Sequence, residues 1–88
     1  MNLDRPWALD PQVAVRPEPF GALVYHFGTR KLSFLKDRRL LDAVTGLSDA
    51  PSARAALTAA GVSDTEIPTF EAALGALAAS KMLKERIA

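Results

Sequence analysis

The side chains that could carry out catalysis are few in this sequence, and their spacing does not favour any reaction. The chain of 88 residues has one histidine and no cysteine, so it offers no cysteine nucleophile, thiolate metal site or iron–sulfur ligand. His26 by itself could be a general base, but a lone histidine on a strand is more typical of a surface residue. Gly21 and Gly28 lie in predicted turns, outside any phosphate-binding or dinucleotide-binding fingerprint. We therefore predict a protein that is not an enzyme and that needs no cofactor or metal.

The composition is that of one globular domain spanning residues 1–88. Hydrophobic residues make up 49% of the chain and charged residues 24%, which is ordinary for a folded soluble protein. No apolar run approaches the roughly eighteen residues that a membrane span needs. The N-terminal residues are acidic and contain proline, unlike a signal peptide. We therefore expect a cytoplasmic protein without a membrane partner.

The charge of the chain is nearly balanced overall but not locally. The net charge is +1, from 11 basic and 10 acidic residues. A nucleic-acid-binding domain normally has a stronger basic bias, so no nucleic-acid partner is predicted. One local excess of basic residues surrounds the segment 31–36, and it consists of Arg30, Lys31, Lys36, Arg38 and Arg39.

The N-terminal half has the pattern of three short strands. Alternating apolar residues predict strands over 12–16, 22–27 and 31–35, separated by the breaker-rich segment 17–21 and by a turn at 28–30. Strands joined by such short connections form an antiparallel meander, with the second strand in the centre. The segment 1–11 is predicted to be an irregular arm that Trp7 pins to the core.

The C-terminal half has the pattern of three helices. Asp37 suits the N-cap of the first, and a second runs from Pro51 or Ser52 to Ala60, with Gly61 as its C-terminal cap. Pro68 would be disfavoured beyond the first turn, so the third helix is expected to start late within 63–68. No glycine marks its end, and the last apolar residues, Met82, Leu83 and Ile87, continue the helix or form a short extended tail. The predicted fold is α+β, a three-stranded antiparallel β-meander followed by a three-helix bundle.

The two outer strands of such a meander have exposed edges. An edge strand presents unpaired N–H and C=O groups to which another extended chain can bind. Pro11 and Pro17 bound the first predicted strand, whereas Lys31–Lys36 contains no proline and is apolar at Leu32, Phe34 and Leu35. This third strand could therefore accept a peptide by β-strand addition. Alternatively, the helices cover it, or a second copy of the chain pairs with it in a homodimer.

Two long stretches carry a family resemblance. The segments RPWALDPQVAVRPEPFGALVYHFGTRKLSFLK and PSARAALTAAGV resemble the PqqD-like peptide-recognition domains of ribosomally made peptide natural products, and among them the peptide chaperones of mycofactocin biosynthesis. The resemblance runs from about Arg5 to Leu83. It implies a winged-helix-like fold and a non-catalytic chaperone.

The resemblance also implies partners and a site. The partners would be the leader of the precursor peptide MftA and the radical S-adenosylmethionine enzyme MftC, to which the peptide is delivered. The leader would add as a strand to the third predicted strand and lie in a cleft facing the third helix. The implied peptide-binding residues are Lys31, Leu32, Ser33, Phe34, Leu35, Lys36, Phe70, Leu74, Leu77, Ala78 and Lys81.

A winged-helix fold leaves one alternative function, that of a DNA-binding regulator. Such a regulator brings basic residues of a recognition helix to the phosphates. From Thr69 to Ala79 the third predicted helix carries Glu71 and no lysine or arginine. This composition favours the peptide chaperone over the regulator.

Overall fold

The computed structural model describes residues 1–86, which form five strands and three α-helices around one core. The strands are β1 (Trp7–Leu9), β2 (Val13–Glu18), β3 (Gly21–His26), β4 (Leu32–Leu35) and β5 (Leu83–Glu85). The helices are α1 (Arg38–Gly46), α2 (Ala53–Ala59) and α3 (Ile67–Ala79), with a 3₁₀ turn at Leu47–Asp49. The predicted order of three meander strands followed by three helices is confirmed.

The meander consists of β2, β3 and β4, with β3 in the centre of an antiparallel sheet. Val24 of β3 pairs with Val15 on one side and with Ser33 on the other. Because side chains alternate along a strand, Val24 faces the same side as Ala22 and Leu35, and all three are buried. This inner face of the sheet packs on the helices.

Polar side chains fix where the first two helices begin. The Asp37 carboxylate accepts a hydrogen bond from the Arg39 amide (2.8 Å), and the Ser52 hydroxyl accepts one from the Ala55 amide (3.1 Å). Both residues occupy the N-cap, where such bonds satisfy amides that lack a partner within the helix. Helix α3 begins at Ile67 with Pro68 in its first turn, so the expected late start is confirmed.

The last turns of α2 and α3 close in the same way although their residues differ. After α2, Val62 donates its amide to the carbonyl of Leu57, and Gly61 has a positive φ of 92°. After α3, Met82 donates to Leu77, and Lys81 has a positive φ of 64°. Both are Schellman motifs, in which a left-handed residue reverses the chain. Helix α3 therefore ends at Ala79 without the glycine that usually marks such an end.

The N-terminal arm was expected to be irregular, but it contains strand β1. Trp7–Leu9 pairs antiparallel with β5, with Trp7 opposite Glu85 and Leu9 opposite Leu83. Near the other end of the arm Leu3 is buried, and the indole N–H of Trp7 donates to the Asn2 carbonyl (2.9 Å). Of the alternatives for the C-terminal residues, the extended tail is correct for Leu83, while Ile87 lies outside the described residues.

His26 is a structural residue at the end of β3, and its expected surface position is wrong. Its side chain is 5% exposed, and its Nδ1 accepts hydrogen bonds from the amides of Gly28 (3.0 Å) and Thr29 (3.1 Å). His26 thus holds the turn between β3 and β4.

No helix among residues 1–86 combines the length and apolar character that crossing a bilayer requires.

Candidate functional site

Strand β4 is an edge strand, and the register of the sheet determines which of its residues direct their N–H and C=O groups outward. The His26 amide donates to the Lys31 carbonyl (3.0 Å), which makes these two residues a hydrogen-bonded pair. Hydrogen-bonded pairs alternate along an antiparallel ladder, so Ser33 and Leu35 also direct their backbone groups to β3. Leu32 and Phe34 consequently direct their N–H and C=O groups away from the sheet.

The opposite edge of the sheet, formed by β2, offers much less. The Phe27 amide donates to the Gln12 carbonyl, and the same alternation turns the backbone groups of Val13, Val15 and Pro17 outward. The Val13 amide already donates to the Asp10 carbonyl (2.9 Å), and proline has no N–H. Among the strand residues of β2, Val15 alone keeps an unused outward donor.

A groove with two adjoining compartments separates β4 from α3. One compartment, of about 300 Å³, lies beside the start of α3, and the other, of about 270 Å³, lies beside its end. Both compartments include Phe34, Leu40 and Ala73 in their walls, so they form one continuous trough. The remaining walls are Lys36, Asp37, Thr69 and Phe70 in the first compartment, and Ser33, Leu35, Ala76, Leu77 and Ser80 in the second.

The predicted site residues take three kinds of position. Six of them line the groove: Ser33, Phe34, Leu35, Lys36, Phe70 and Leu77. Lys31 and Leu32 precede the groove on the same edge and are exposed. The other three do not line it: Leu74 is fully buried in the core, Ala78 lies in the last turn of α3, and Lys81 follows the helix.

Sequence reasoning missed the part of α3 that forms most of the helical wall. Thr69, Ala73, Ala76 and Ser80 follow one another at intervals of three or four residues, and all line the groove. Such spacing places them on one face of the helix. Because their side chains are small, they leave room between the helix and β4. The run of small residues at helical spacing was the signal that could have identified this wall.

Arg39 joins the two sides of the groove at its first compartment. Its guanidinium donates to Glu66 (2.7 Å) and to Asp37 (3.2 Å), and it lies over the Phe70 ring at 5.1 Å from the centroid. Hydrogen bonds from Arg39 lower the pKa of the Asp37 carboxyl and the pKa of the Glu66 carboxyl, and both carboxylates raise the pKa of Arg39. A charged bridge therefore ties the β4–α1 junction to the start of α3.

Basic side chains surround the open edge without being neutralised. Lys36 lines the first compartment, and Arg30 and Lys31 precede β4 in the turn. None of the ion pairs among residues 1–86 involves these three residues or Arg38. The edge thus combines free backbone groups, an apolar trough and unpaired positive charge, which together suit an extended peptide with acidic residues.

Comparisons with known proteins agree with this arrangement. The model of the peptide chaperone MftB family matches residues 6–84. A peptide chaperone MftB of Mycolicibacterium smegmatis is 60% identical over 80 residues, which cover 91% of this chain and 78% of that protein. Proteins with the same name share 61% identity in Mycobacterium ulcerans (91% and 73% covered) and 59% in Mycobacterium tuberculosis (94% and 76% covered). No solved structure matches the chain. The chain therefore belongs to the peptide chaperone MftB family, and its function is that of a non-catalytic peptide chaperone.

Proposed function

We propose that this chain binds the leader of the precursor peptide MftA as an added strand on β4 and presents the peptide to the radical S-adenosylmethionine enzyme MftC. The single observation that carries the proposal is an unpaired edge strand bordering an apolar groove. Leu32 and Phe34 offer the outward backbone groups, and α3 supplies the facing wall. The chain makes and breaks no covalent bond in this function.

The alternation of inward and outward backbone groups along β4 sets the register of the added strand. The leader would exchange hydrogen bonds with the N–H and C=O groups of Leu32 and Phe34, while Ser33 and Leu35 remain bonded to β3. Side chains of an extended peptide alternate between two faces, so every second leader residue would enter the groove. Two compartments side by side suit two apolar side chains at positions i and i+2 of the leader.

The charges near the edge support an acidic leader. Lys31 and Lys36 lie near the two ends of β4 and have no acidic partner among the described residues. Positive side chains there would accelerate the encounter with an acidic peptide and form charge-assisted hydrogen bonds with it. Because a disordered leader loses conformational entropy on binding, a preformed groove reduces the ordering still required.

The composition of the chain supports delivery of the peptide to an enzyme. Without cysteine it offers no ligand set for an iron–sulfur cluster, so radical chemistry on the peptide must take place on a partner. Holding the leader beside that partner raises the effective concentration of the substrate. The rival function of a DNA-binding regulator is less well supported, because α3 carries Glu71 and no basic residue.

Titration of isotope-labelled protein with the MftA leader peptide tests the proposal. We expect backbone amide shifts concentrated in β4 and along the Thr69–Ser80 face of α3, with a scrambled leader as the control peptide. Shifts confined to other regions would contradict the groove. An unchanged spectrum, both alone and with MftC added, would contradict leader binding. A mass that doubles with protein concentration, together with shifts in β4 without peptide, would instead indicate a homodimer through this edge.

A further inference from the structure

The outer face of the meander carries an apolar surface that the groove does not account for. Exposed large hydrophobic residues gather here: Phe20, Phe27, Leu32 and Phe34 are 47%, 63%, 52% and 57% exposed. The register adds two half-buried residues of β3, because Leu23 lies opposite Phe34 and Tyr25 lies opposite Leu32. We call this surface the outer sheet face, and it consists of Phe20, Leu23, Tyr25, Phe27, Leu32 and Phe34.

The aromatic rings of the outer sheet face are arranged in pairs. The rings of Tyr25 and Phe27 meet edge to face at 5.1 Å, and those of Phe20 and Phe34 lie 6.3 Å apart. Clustered exposed aromatic residues are typical of protein interfaces, where rigid rings contribute much of the binding energy. No helix or strand of residues 1–86 packs over these rings. The surface therefore has the composition of an interface and no partner within the described chain.

The distribution of charge indicates which partner fits. From Arg16 to Arg39 the chain has six basic and two acidic residues, whereas from Leu40 to Ser80 it has one basic and five acidic residues. Two copies that met through their outer sheet faces would bring like charges together, which disfavours such a dimer. A partner with an apolar centre and an acidic rim would meet both requirements of this surface.

We propose that the outer sheet face is the docking surface for the enzyme MftC, through an apolar patch of the enzyme rimmed by acidic residues. This inference rests on the proposed function and assigns a second surface to it. Phe34 belongs to both surfaces, since it lines both compartments of the groove and lies on the outer sheet face.

The shared strand couples the two surfaces. A leader paired with β4 extends the sheet by one strand, and its alternate side chains lie on the outer face beside Leu32 and Phe34. The enzyme would then contact the sheet and the leader together. The complex with bound leader should accordingly bind MftC more tightly than the free chaperone does, which favours delivery of a loaded chaperone.

The test uses variants that remove rings of the outer sheet face that line neither compartment of the groove. Phe27→Ser and Phe20→Ser each remove one exposed ring, from opposite ends of the face, and a double variant carries both changes. Thr58→Ala, on the exposed side of α2, is the matched control. The binding of each full-length variant to purified MftC and to the MftA leader is measured by biolayer interferometry at two salt concentrations.

We expect the double variant to bind MftC at least about tenfold more weakly, because aromatic residues near the centre of an interface dominate its affinity. Leader affinity should stay within twofold, and raising the salt should slow association of the wild-type chain with MftC. Unchanged MftC affinity in the double variant would overturn the outer sheet face while leaving the groove intact. Wild-type protein that binds the leader but never MftC would overturn enzyme presentation as well. Self-association that the double variant abolishes would assign the surface to a second copy.

Discussion

The two edges of the meander have the same backbone chemistry but opposite capacities for pairing. On β2 the outward amides are limited by Pro17 and by the bond from Val13 to Asp10, and Arg16 and Glu18 form an ion pair (2.8 Å) on the strand. On β4 both outward residues keep their amides, and an apolar groove runs alongside. The two edges therefore differ in capacity, and extension of this sheet is favoured at β4 over β2. Proline and a local hydrogen bond leave the strand residues of β2 with one outward amide, that of Val15.

The largest expected effect comes from adding a side chain at Gly21, where the backbones of β3 and β4 approach each other closely. Gly21 has a φ of 146°, and a Cβ there would lie 1.9 Å from the carbonyl oxygen of Leu35. Gly21→Ala should therefore lower the free energy of unfolding by about 3 kcal/mol, because both backbone strain and a backbone clash must be relieved. Urea denaturation measures this loss. Gly75→Ala, at a helical glycine with open space around it, is the control and should not destabilise. Equal stability of the Gly21 variant and the wild type would contradict the described β3–β4 geometry.

The next largest effect is expected from a proline in β4, which would make the β4 edge resemble the β2 edge. Phe34→Pro removes an outward amide while the amides of Ser33 and Leu35 stay in the ladder. We expect leader affinity to fall roughly 50-fold, from a lost hydrogen bond and from interrupted pairing on both sides of it. Calorimetric titration measures the affinity, and circular dichroism checks the fold. Phe34→Ala keeps the amide and separates the ring from the backbone, so equal losses in the two variants would argue against strand addition.

Charge reversal beside the open edge should have a smaller effect. Lys36→Glu places a negative charge in the first compartment, where an acidic leader would be repelled. We expect leader affinity at low salt to fall about fivefold and the difference to shrink as salt is added. Lys84→Glu changes the net charge equally on strand β5, away from the groove, and serves as the control. If both reversals weaken binding alike, only the overall charge matters and docking at this edge is wrong.

Glycine at position 81 should stabilise the fold modestly. Lys81 adopts a left-handed backbone with φ of 64°, a conformation that glycine reaches at little cost. We expect Lys81→Gly to raise the free energy of unfolding by about 0.5–1 kcal/mol. Thermal unfolding measures this gain. An accompanying loss of leader affinity would show that the lysine side chain reaches the peptide, whereas unchanged affinity would place it outside the site.

Acid should weaken the Arg39 bridge beside the open edge. The pKa values of Asp37 and Glu66 are lowered from ordinary values of 3.8 and 4.5, so their ionised forms stabilise the fold above that range. This contribution is lost as the pH falls through the lowered values. We expect Arg39→Gln to reduce the slope of stability against pH below about pH 4.5. Identical slopes for the variant and the wild type would mean that the exposed bridge contributes nothing measurable.

Local signals made most of the fold predictable from the sequence. Alternating residues and prolines marked the three meander strands, and the caps at Asp37 and Gly61 marked helix ends. Strands β1 and β5 escaped prediction because each has three residues and their pairing is non-local. His26 was misplaced because its partners are backbone amides of the next turn, which a residue pattern does not show. A lysine in the left-handed region at the end of α3 had no signal in its residue type.

The candidate site was predictable on its strand side and much less so on its helix side. The absence of proline and the apolar residues of Lys31–Lys36 indicated an open edge. The large apolar residues of α3 form one stripe that includes Phe70, Leu74 and Leu77, and the resemblance pointed to this stripe, whereas most of the groove wall consists of the small residues beside it. That is why fully buried Leu74 entered the predicted site and Ala73 did not.

The pairing of β1 with β5 has a consequence for how the protein is made. Trp7 leaves the ribosome long before its partner Glu85, so this small sheet cannot form until nearly all of the domain has been synthesised. The meander and the three helices contain their own nearby partners and can assemble earlier. During translation, the β1 segment therefore has no partner strand while the later elements fold. The Arg86 side chain, which donates to the carbonyls of Trp7, Ser48 and Ala50, fastens the arm only at the last stage.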